Sequence, residues 1–277
     1  MTQCTAGTRE LINRTPITRA FRGPGWFRGW LRGWFRGWGM LTAATTTAVV
    51  AIAVSSLVGA ASPNSEKLLF EDARIIIEFN STAQDVGMQM FIDGDPWKKL
   101  RVFDPNGKKI LEIKGTGSLK KQGLTELFFE SSEPPLSEFN LQQFLARFPE
   151  GIYELDGVTI DGEEIEGEAT FTHIIPDAPV IVSPPDGSVQ DPNNTVVDWN
   201  VVPDPAGSAI QAYQVIVTQI LDVLPKRELS LFVPASVTSV KVPSEFLVHG
   251  ADYDLEVLAI EDGGNQTITT SVFSTSP

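Results

Sequence analysis

One stretch near the C-terminus, residues 247–261, constrains the fold of this chain more than any other. It reads Leu-Val-His-Gly-Ala-Asp-Tyr-Asp-Leu-Glu-Val-Leu-Ala-Ile-Glu, so a turn containing glycine leads into a run in which apolar residues alternate. A period of two is typical of a strand with one buried face, here carrying Tyr253, Leu255 and Val257. A buried tyrosine also needs a partner for its hydroxyl group. The stretch therefore predicts a strand that follows a turn and buries Tyr253.

The surrounding residues carry a more specific pattern. Residues 247–253 resemble the Leu-x-Pro-Gly-Thr-x-Tyr corner of fibronectin type III domains, with His249 and Ala251 in place of the usual Pro and Thr. Residues 259–267 resemble the hairpin Ala-x-Asp-x-x-Gly-Asn-x-Ser that is common in bacterial members. The B, C and E strands of the family correspond to residues 195–199, 212–217 and 238–242. Residues 176–277 are thus similar to a bacterial fibronectin type III domain. The resemblance implies an immunoglobulin-like sandwich in which the ring of Tyr253 is buried and its hydroxyl bonds back to the backbone at the corner.

The loop between the last two strands bears on function. Some family members present an Arg-Gly-Asp tripeptide there, whereas residues 261–266 read Glu-Asp-Gly-Gly-Asn-Gln. Integrin-type adhesion is therefore not expected. The whole chain is similar to exported bacterial proteins that carry one fibronectin type III domain, a resemblance that implies a place in the cell envelope.

Residues 68–175 predict a second β-rich domain. Apolar residues alternate at 75–79 and 86–92, and Asn106-Gly107 between two apolar runs is a strong hairpin signal. One helix is expected after Asn140, because Gln143 completes a capping box and an apolar face follows up to Pro149. Gly115-Thr116-Gly117 is expected to form a turn. The fold class expected for the chain is all-β, with two β-sandwich-like domains in tandem, the first with one short helix.

The N-terminus predicts export. Residues 1–40 form a basic leader rich in Trp and Arg, with seven arginines and one acid, and residues 41–61 are uncharged. This order, followed by Gly-Ala-Ala, is that of a signal peptide, while 21 residues also suffice for a membrane anchor. Residues 62–67 are a linker. Cleavage of the segment and a start at Met1 or Met40 stay open, and the rest of the chain is expected outside the cytoplasm, whether periplasmic, secreted or anchored.

Charge and cysteine content exclude several functions. Seven of the 21 basic residues lie in the leader, which leaves 14 basic and 34 acidic residues, a net charge of −20, for residues 62–277. Such a body repels nucleic acid and anionic lipid, so no nucleic-acid partner is expected, and membrane contact is expected only through the N-terminal segment. Cys4 is the single cysteine, so the body has no disulfide and no thiolate chemistry.

No cofactor, catalytic residue or metal ligand is predicted. His173 and His249 are the only histidines and lie in no catalytic motif. Asp93, Asp95 and the acids between residues 161 and 168 offer oxygen ligands, but they lack EF-hand spacing and fit a solvent-facing strand equally well. Trp97 is placed either to stack on a sugar ring or to cover a core edge.

Three aliphatic residues form the candidate contact patch. Ile216, Leu258 and Ile260 are expected on the outward face of neighbouring strands, where they form either an exposed docking patch or ordinary scattered surface aliphatics. The predicted function is an exported, non-catalytic binding or structural module of the bacterial envelope, with a protein or glycan partner. The alternatives are a passive extracytoplasmic spacer and, with less support, a carboxylate-dependent hydrolase in residues 68–175.

Overall fold

One long strand, β3 (Asp85–Phe103), organises the first domain. The computed structural model describes residues 67–221 and 226–277, and within them β3 runs for 19 residues. Its register shifts between Asp93 and Trp97, where Gly94 and Pro96 interrupt the alternation. The first half of β3 therefore pairs with two partners and the second half with two others, so the strand passes from one layer of a sandwich into the other.

The remaining elements of the first domain complete those layers. β2 and β5 flank the first half of β3, β4 and β6 flank the second half, β7 pairs with β6, and β1 pairs with β7. The core between the layers includes Ile75, Ile77, Met90 and Tyr153. The elements are β1 (Leu68–Leu69), β2 (Asp72–Asn80), β4 (Lys109–Lys114), α1 (Gly117–Gln122), β5 (Leu124–Glu130), α2 (Leu141–Arg147), β6 (Gly151–Thr159) and β7 (Glu164–Phe171).

The predicted helix is confirmed, and a second one is present. In α2 the amide of Gln143 donates to Asn140 Oδ1 at 3.0 Å, and the amide of Asn140 donates to Gln143 Oε1 at 2.9 Å, which is the capping box expected. The six-residue α1 begins where a turn was predicted. The prediction of a single helix is therefore wrong, because a turn that opens at Gly117 (φ +55°) continues for one helical turn and a half.

The second domain is a sandwich of two antiparallel sheets closed around its own core. One sheet has the order β13-β10-β8, and the other ends in β15-β14-β11-β12, with β9 alongside β15. This is the strand order of a fibronectin type III-like domain. Its strands are β8 (Ile181–Ser183), β9 (Ser188–Gln190), β10 (Val196–Trp199), β11 (Ile210–Gln219), β12 (Glu228–Pro234), β13 (Ser239–Lys241), β14 (Asp252–Glu261) and β15 (Gln266–Thr275).

The tyrosine corner is formed as the sequence predicts. Tyr253 is fully buried, and its hydroxyl oxygen accepts a hydrogen bond from the amide of Val248 at 2.7 Å. Its ring stacks on Phe273, with centroids 5.2 Å apart, and Trp199 packs against Tyr213 in the same core. The predicted inward faces of 195–199 and 212–217 are confirmed by the burial of Val197, Trp199 and Tyr213.

The two domains lie in one compact unit, Ala61–Pro277, because a single sheet runs through both. Their cores are separate, and the division predicted at residue 176 stays a prediction. None of the helices described is long and apolar enough to span a bilayer. The leader 1–40, the segment 41–61 and nearly all of the linker 62–67 lie outside the described residues.

Candidate functional site

The most constrained part of the molecule is the seam at which β15 of the second domain pairs with β2 of the first. The pairing is parallel and covers three residue pairs, from Gln266 opposite Glu78 to Ile268 opposite Asn80. Beyond it, the amide and hydroxyl of Ser81 both donate to the carbonyl of Ile268, at 2.9 and 2.7 Å. Parallel pairing of strands from two domains extends one sheet across the boundary. The seam therefore joins the domains by hydrogen bonds, in addition to the segment of chain that connects them.

Asn265 is the central polar group of this joint. Only 1% of it is exposed, and its side-chain oxygen accepts a hydrogen bond from the amide of Ile77 at 2.8 Å. Its amide nitrogen donates to the carbonyl and hydroxyl oxygens of Thr172, at 3.2 and 2.8 Å, and to the carbonyl of Ile174 at 2.8 Å. One side chain of the second domain thus bonds β2 and the segment after β7, and it satisfies groups that burial would otherwise leave unpaired.

Glu261 holds the loop that presents Asn265. It is 2% exposed, and its carboxylate accepts hydrogen bonds from the amides of Gly263 and Asn265 and from the hydroxyl of Ser208, at 2.9, 2.9 and 2.5 Å. Gly264 has φ +93°, and a Cβ there would lie 3.1 Å from Ile76. The loop between the last two strands is therefore folded against the first domain.

The segment between the domains is fixed by the same strand. The hydroxyl of Thr267 donates to the carbonyl of Pro176 at 2.6 Å, and that of Thr269 donates to the carbonyl of Pro179 at 2.7 Å. The proline rings restrict the backbone φ angles of this segment. Proline has no amide hydrogen but keeps its carbonyl acceptor, and the two threonine hydroxyls donate to these carbonyls. The two domains consequently form a stiff pair.

The candidate patch lies on the outer face of the shared sheet. Register places Ile216 opposite Glu256, Leu258 between Gln214 and Ile268, and Ile260 opposite Gln266, all on the face away from the second core. The three residues are therefore neighbours, as the alternation predicts. Leu258 is only 2% exposed, so the expectation that it is exposed is wrong, because residues on both neighbouring strands enclose it. Ile216 and Ile260 are partly exposed, and their role in a contact stays a prediction.

The same outer face brings three carboxylates together where β2, β3 and the segment after β5 meet. Glu78, Glu130 and Glu133 each have a carboxylate oxygen within 4.8 Å of the others, the one group of this kind among the described residues. Gln89 donates to Glu78 at 2.7 Å and to Glu130 at 2.9 Å, and Gln266 also donates to Glu78. The side-chain amides of Gln89 and Gln266 thus donate hydrogen bonds to two of the three carboxylates.

The surroundings of this cluster disfavour ionisation. Burial, followed by repulsion from Glu130, raises the pKa of Glu78 to about 8, and burial with repulsion from Glu130 and Asp85 raises the pKa of Glu133 to about 8. Such groups hold protons near neutral pH or share a cation. The sequence carries no sign of this cluster, since Glu78 looks like any outward residue of an alternating strand. Oxygen ligands at this spacing suit a hard cation, and the cluster lies on a sheet face rather than in a cleft.

The acids singled out by sequence do not come together. Glu166 forms an ion pair with Lys67 at 2.6 Å, whereas Asp161, Glu163, Glu164 and Glu168 are exposed. Strand alternation accounts for Glu164, Glu166 and Glu168, whereas Asp161 and Glu163 lie in the turn before β7.

The aromatic and histidine candidates are structural. Trp97 is fully buried, so it cannot stack on a sugar ring, and the alternative of a core position is confirmed. His173 lies beyond the end of β7, with Nε2 at 2.8 Å from the carbonyl of Phe148 and its ring edge-on to Phe171. His249 is exposed in the corner turn, with Nδ1 at 3.3 Å from the carbonyl of Ser276.

Two surface depressions lie in the first domain. The smaller, of about 160 Å³, is lined by Lys67, Arg101, Asp156 and Glu166, whose charges are paired with one another. The larger, of about 550 Å³, lies between α1 and the turn that joins β6 to β7. Its lining residues are Lys98, Gly117, Lys120, Lys121, Ile160 and Asp161. No motif predicts this depression, although the density of lysine between residues 98 and 121 is a signal for it.

Comparison with known proteins adds little to this geometry. No protein-family model matches the chain, and no curated protein matches it. Among solved structures, the chain is similar to the FN1–FN3 domains of chicken CNTN1, with a TM-score of 0.32 and 12% identity, over 76% of this chain and 65% of that one. The chain thus spans slightly less than two thirds of that structure. The strand order and the tyrosine corner described above give the second domain a fibronectin type III-like fold.

Proposed function

We propose that residues 62–277 are an exported, non-catalytic module of the bacterial cell envelope that binds a protein or glycan partner. The observation that carries the proposal is the joint at Asn265, which converts a loop available for adhesion in related folds into an interdomain lock. A stiff pair of domains presents one broad sheet face in a fixed orientation, and a preorganised surface loses less entropy on binding. The export signal and the acidity of the body support the extracytoplasmic location.

The test is copurification of the full chain from the envelope of the cells that make it. The body is expected to be accessible to protease from outside the inner membrane and to retain one enriched partner after mild cross-linking. The double variant Ile216→Asp/Ile260→Asp places two charges on the outer face. The control Val189→Asp/Val201→Asp places the same charge at residues that are 65% and 71% exposed elsewhere in the second domain. Loss of the partner in the first variant but not in the control supports binding through the outer face.

A passive spacer is the second candidate, and the stiffness of the joint favours it as well. It predicts the same location and shape but no enriched partner. Recovery of the chain in the cytosol would contradict both. The hydrolase alternative draws on the three carboxylates at Glu78, and turnover of an envelope glycan that Glu130→Gln abolishes would favour it over binding.

A further inference from the structure

We propose that the larger depression, between α1 and the β6–β7 turn, binds an acidic saccharide, meaning a short glycan that carries carboxylate or phosphate groups together with hydroxyls. The proposal rests on the function proposed above, because it names the chemistry of a glycan partner. It is carried by the charge, the pairing and the rigidity of the lining residues.

The depression lies in the basic part of an otherwise acidic body. Residues 98–121 hold eight lysines and arginines against two acids, and Glu154, Asp156 and Asp161 lie beside them, which leaves a local net charge of +3, whereas residues 62–277 as a whole carry −20. These residues are brought together because β4 pairs with the second half of β3 and α1 packs on the same strand. A concentrated positive region on an acidic protein attracts small anions, since charges more than about 8 Å away are screened at physiological salt.

The lysines that line the depression form no ion pair with a carboxylate of the described residues. Lys109 and Lys114 both pair with Glu112, and Arg101 pairs with Asp156. The ammonium groups of Lys120 and Lys121 have no hydrogen-bond or ion-pair partner in the described part of the chain. Lys98 donates to the carbonyl of Ile160 at 3.3 Å, which fixes its ammonium group at the rim without neutralising it. Three lysines without a carboxylate partner among the described residues therefore line one open volume.

The depression is preformed. The amide of Gly115 donates to the carbonyl of Lys98 at 3.0 Å, which ties the start of α1 to β3. At the other end of α1, Gly123 (φ +82°) packs closely against β3 and the β6–β7 turn. A Cβ there would be 2.7 Å from Pro96 and 3.0 Å from Ile160. Both ends of the short helix are thus held, and little ordering is needed when an anion enters.

The lining also indicates which anion fits. Lysine ammonium groups bind phosphate or carboxylate as point charges. Asp161 adds a carboxylate, which repels a bare phosphate but accepts hydrogen bonds from sugar hydroxyls. A volume of about 550 Å³ lies in the range of small-molecule sites. A long polyanion or an anionic membrane would meet the acidic remainder of the body, so a short acidic saccharide is the ligand that satisfies every lining group.

The test is calorimetric titration of the full chain with tetragalacturonate, with maltotetraose as the neutral saccharide and inorganic phosphate as the bare anion. Tetragalacturonate is expected to bind, more weakly as salt is added, and maltotetraose is not expected to bind.

Lys120→Gln/Lys121→Gln is expected to weaken tetragalacturonate binding about tenfold, from two exposed charge pairs of about 0.7 kcal/mol each. The matched control Lys108→Gln/Lys241→Gln removes the same charge at exposed lysines outside the depression and is expected to change binding by about twofold or less. Asp161→Asn is expected to weaken tetragalacturonate binding and strengthen phosphate binding.

Three results would overturn the proposal: equal binding of tetragalacturonate and maltotetraose, equal weakening by the two double variants, or binding only to vesicles that contain phosphatidylglycerol. The last result would assign the lysines to a lipid headgroup. A protein partner recovered from the envelope without saccharide binding would leave the proposed function standing and refute this site. Saccharide binding by a chain that is recovered in the cytosol would keep this site and refute the proposed function in the envelope.

Discussion

Asn265 and Glu78 are polar side chains at the same seam, the first buried and the second half-buried, and their surroundings have opposite effects. Asn265 bonds four backbone or side-chain groups and leaves none of its own unpaired. Glu78 receives hydrogen bonds from Gln89 and Gln266 but lies against two further carboxylates. A neutral amide can be satisfied in a joint at no electrostatic cost, whereas a carboxylate there must gain a proton or a cation. The amide therefore stabilises the joint, whereas the carboxylate makes the stability of the neighbouring surface depend on protonation or on a bound cation.

The largest expected effect comes from making the two groups alike. In Asn265→Asp one oxygen still accepts from Ile77, but the other faces the carbonyl oxygens of Thr172 and Ile174. An uncompensated buried charge costs about 3 to 5 kcal/mol, so the free energy of unfolding is expected to fall by that amount at neutral pH, measured by urea denaturation. Asn194→Asp makes the same change at an exposed residue and is the control. Equal losses in the two variants would refute the central role of Asn265.

A smaller loss is expected when the amide is removed without adding charge. Asn265→Ala leaves the amide of Ile77 and two carbonyls unpaired, which costs about 2 kcal/mol. Hydrogen exchange locates the effect, because the amide of Ile77 should exchange faster while that of Val257, in the interior of the second domain, keeps its protection. Uniform acceleration of both amides would show that Asn265 supports the whole fold rather than the seam.

The pairing of β15 with β2 at the seam could not be predicted from the sequence. Tyr253 and the capping box at Asn140 were predicted because each is a local pattern in which the partners lie three to five residues apart. Asn265 and Ile77 are separated by 188 positions, and parallel pairing between strands of two domains leaves no trace in the alternation of either strand. Asn265 was visible only as part of a hairpin motif.

Burial on the outer face was mispredicted for a related reason. Alternation places Leu258 outward, and an outward residue at an edge would be exposed. The sheet instead continues through β15 into β2, so Leu258 lies in the interior of a wide face and keeps 2% exposure. Knowing which strands are neighbours was needed to distinguish outward from exposed.

An intermediate, pH-dependent effect is expected at the carboxylate. Because the pKa of Glu78 is raised to about 8 in the folded chain, the folded state holds a proton that the unfolded state loses above about pH 4.5. The stability of the protein should therefore fall as the pH rises from 5 to 8. Glu78→Gln stays neutral throughout, so it should match the wild type at pH 5 and become more stable than it towards pH 8.5. Thermal unfolding across this range measures the difference.

The control for this prediction is Glu168→Gln, an exposed glutamate on β7 that lies outside the cluster. Its unfolding curve should follow that of the wild type at every pH. Parallel curves for Glu78→Gln and the wild type would mean that Glu78 is ionised in the folded chain, and the contrast with Asn265 would disappear.

The smallest expected effect tests whether the segment between the domains belongs to the joint. Thr267→Val keeps the shape and the strand preference of the side chain but removes the hydrogen bond to the carbonyl of Pro176. Thr267 is 1% exposed, so water cannot replace the bond, and a loss of about 1 kcal/mol is expected in denaturant unfolding. Thr269 is less buried, and Thr269→Val should cost less, because water can reach the carbonyl of Pro179 once the hydroxyl is gone. If Thr269→Val costs more than Thr267→Val, the bond to Pro179 rather than the bond to Pro176 fixes the segment. The stiffness of the domain pair would then depend on contacts further from Asn265 than Thr267.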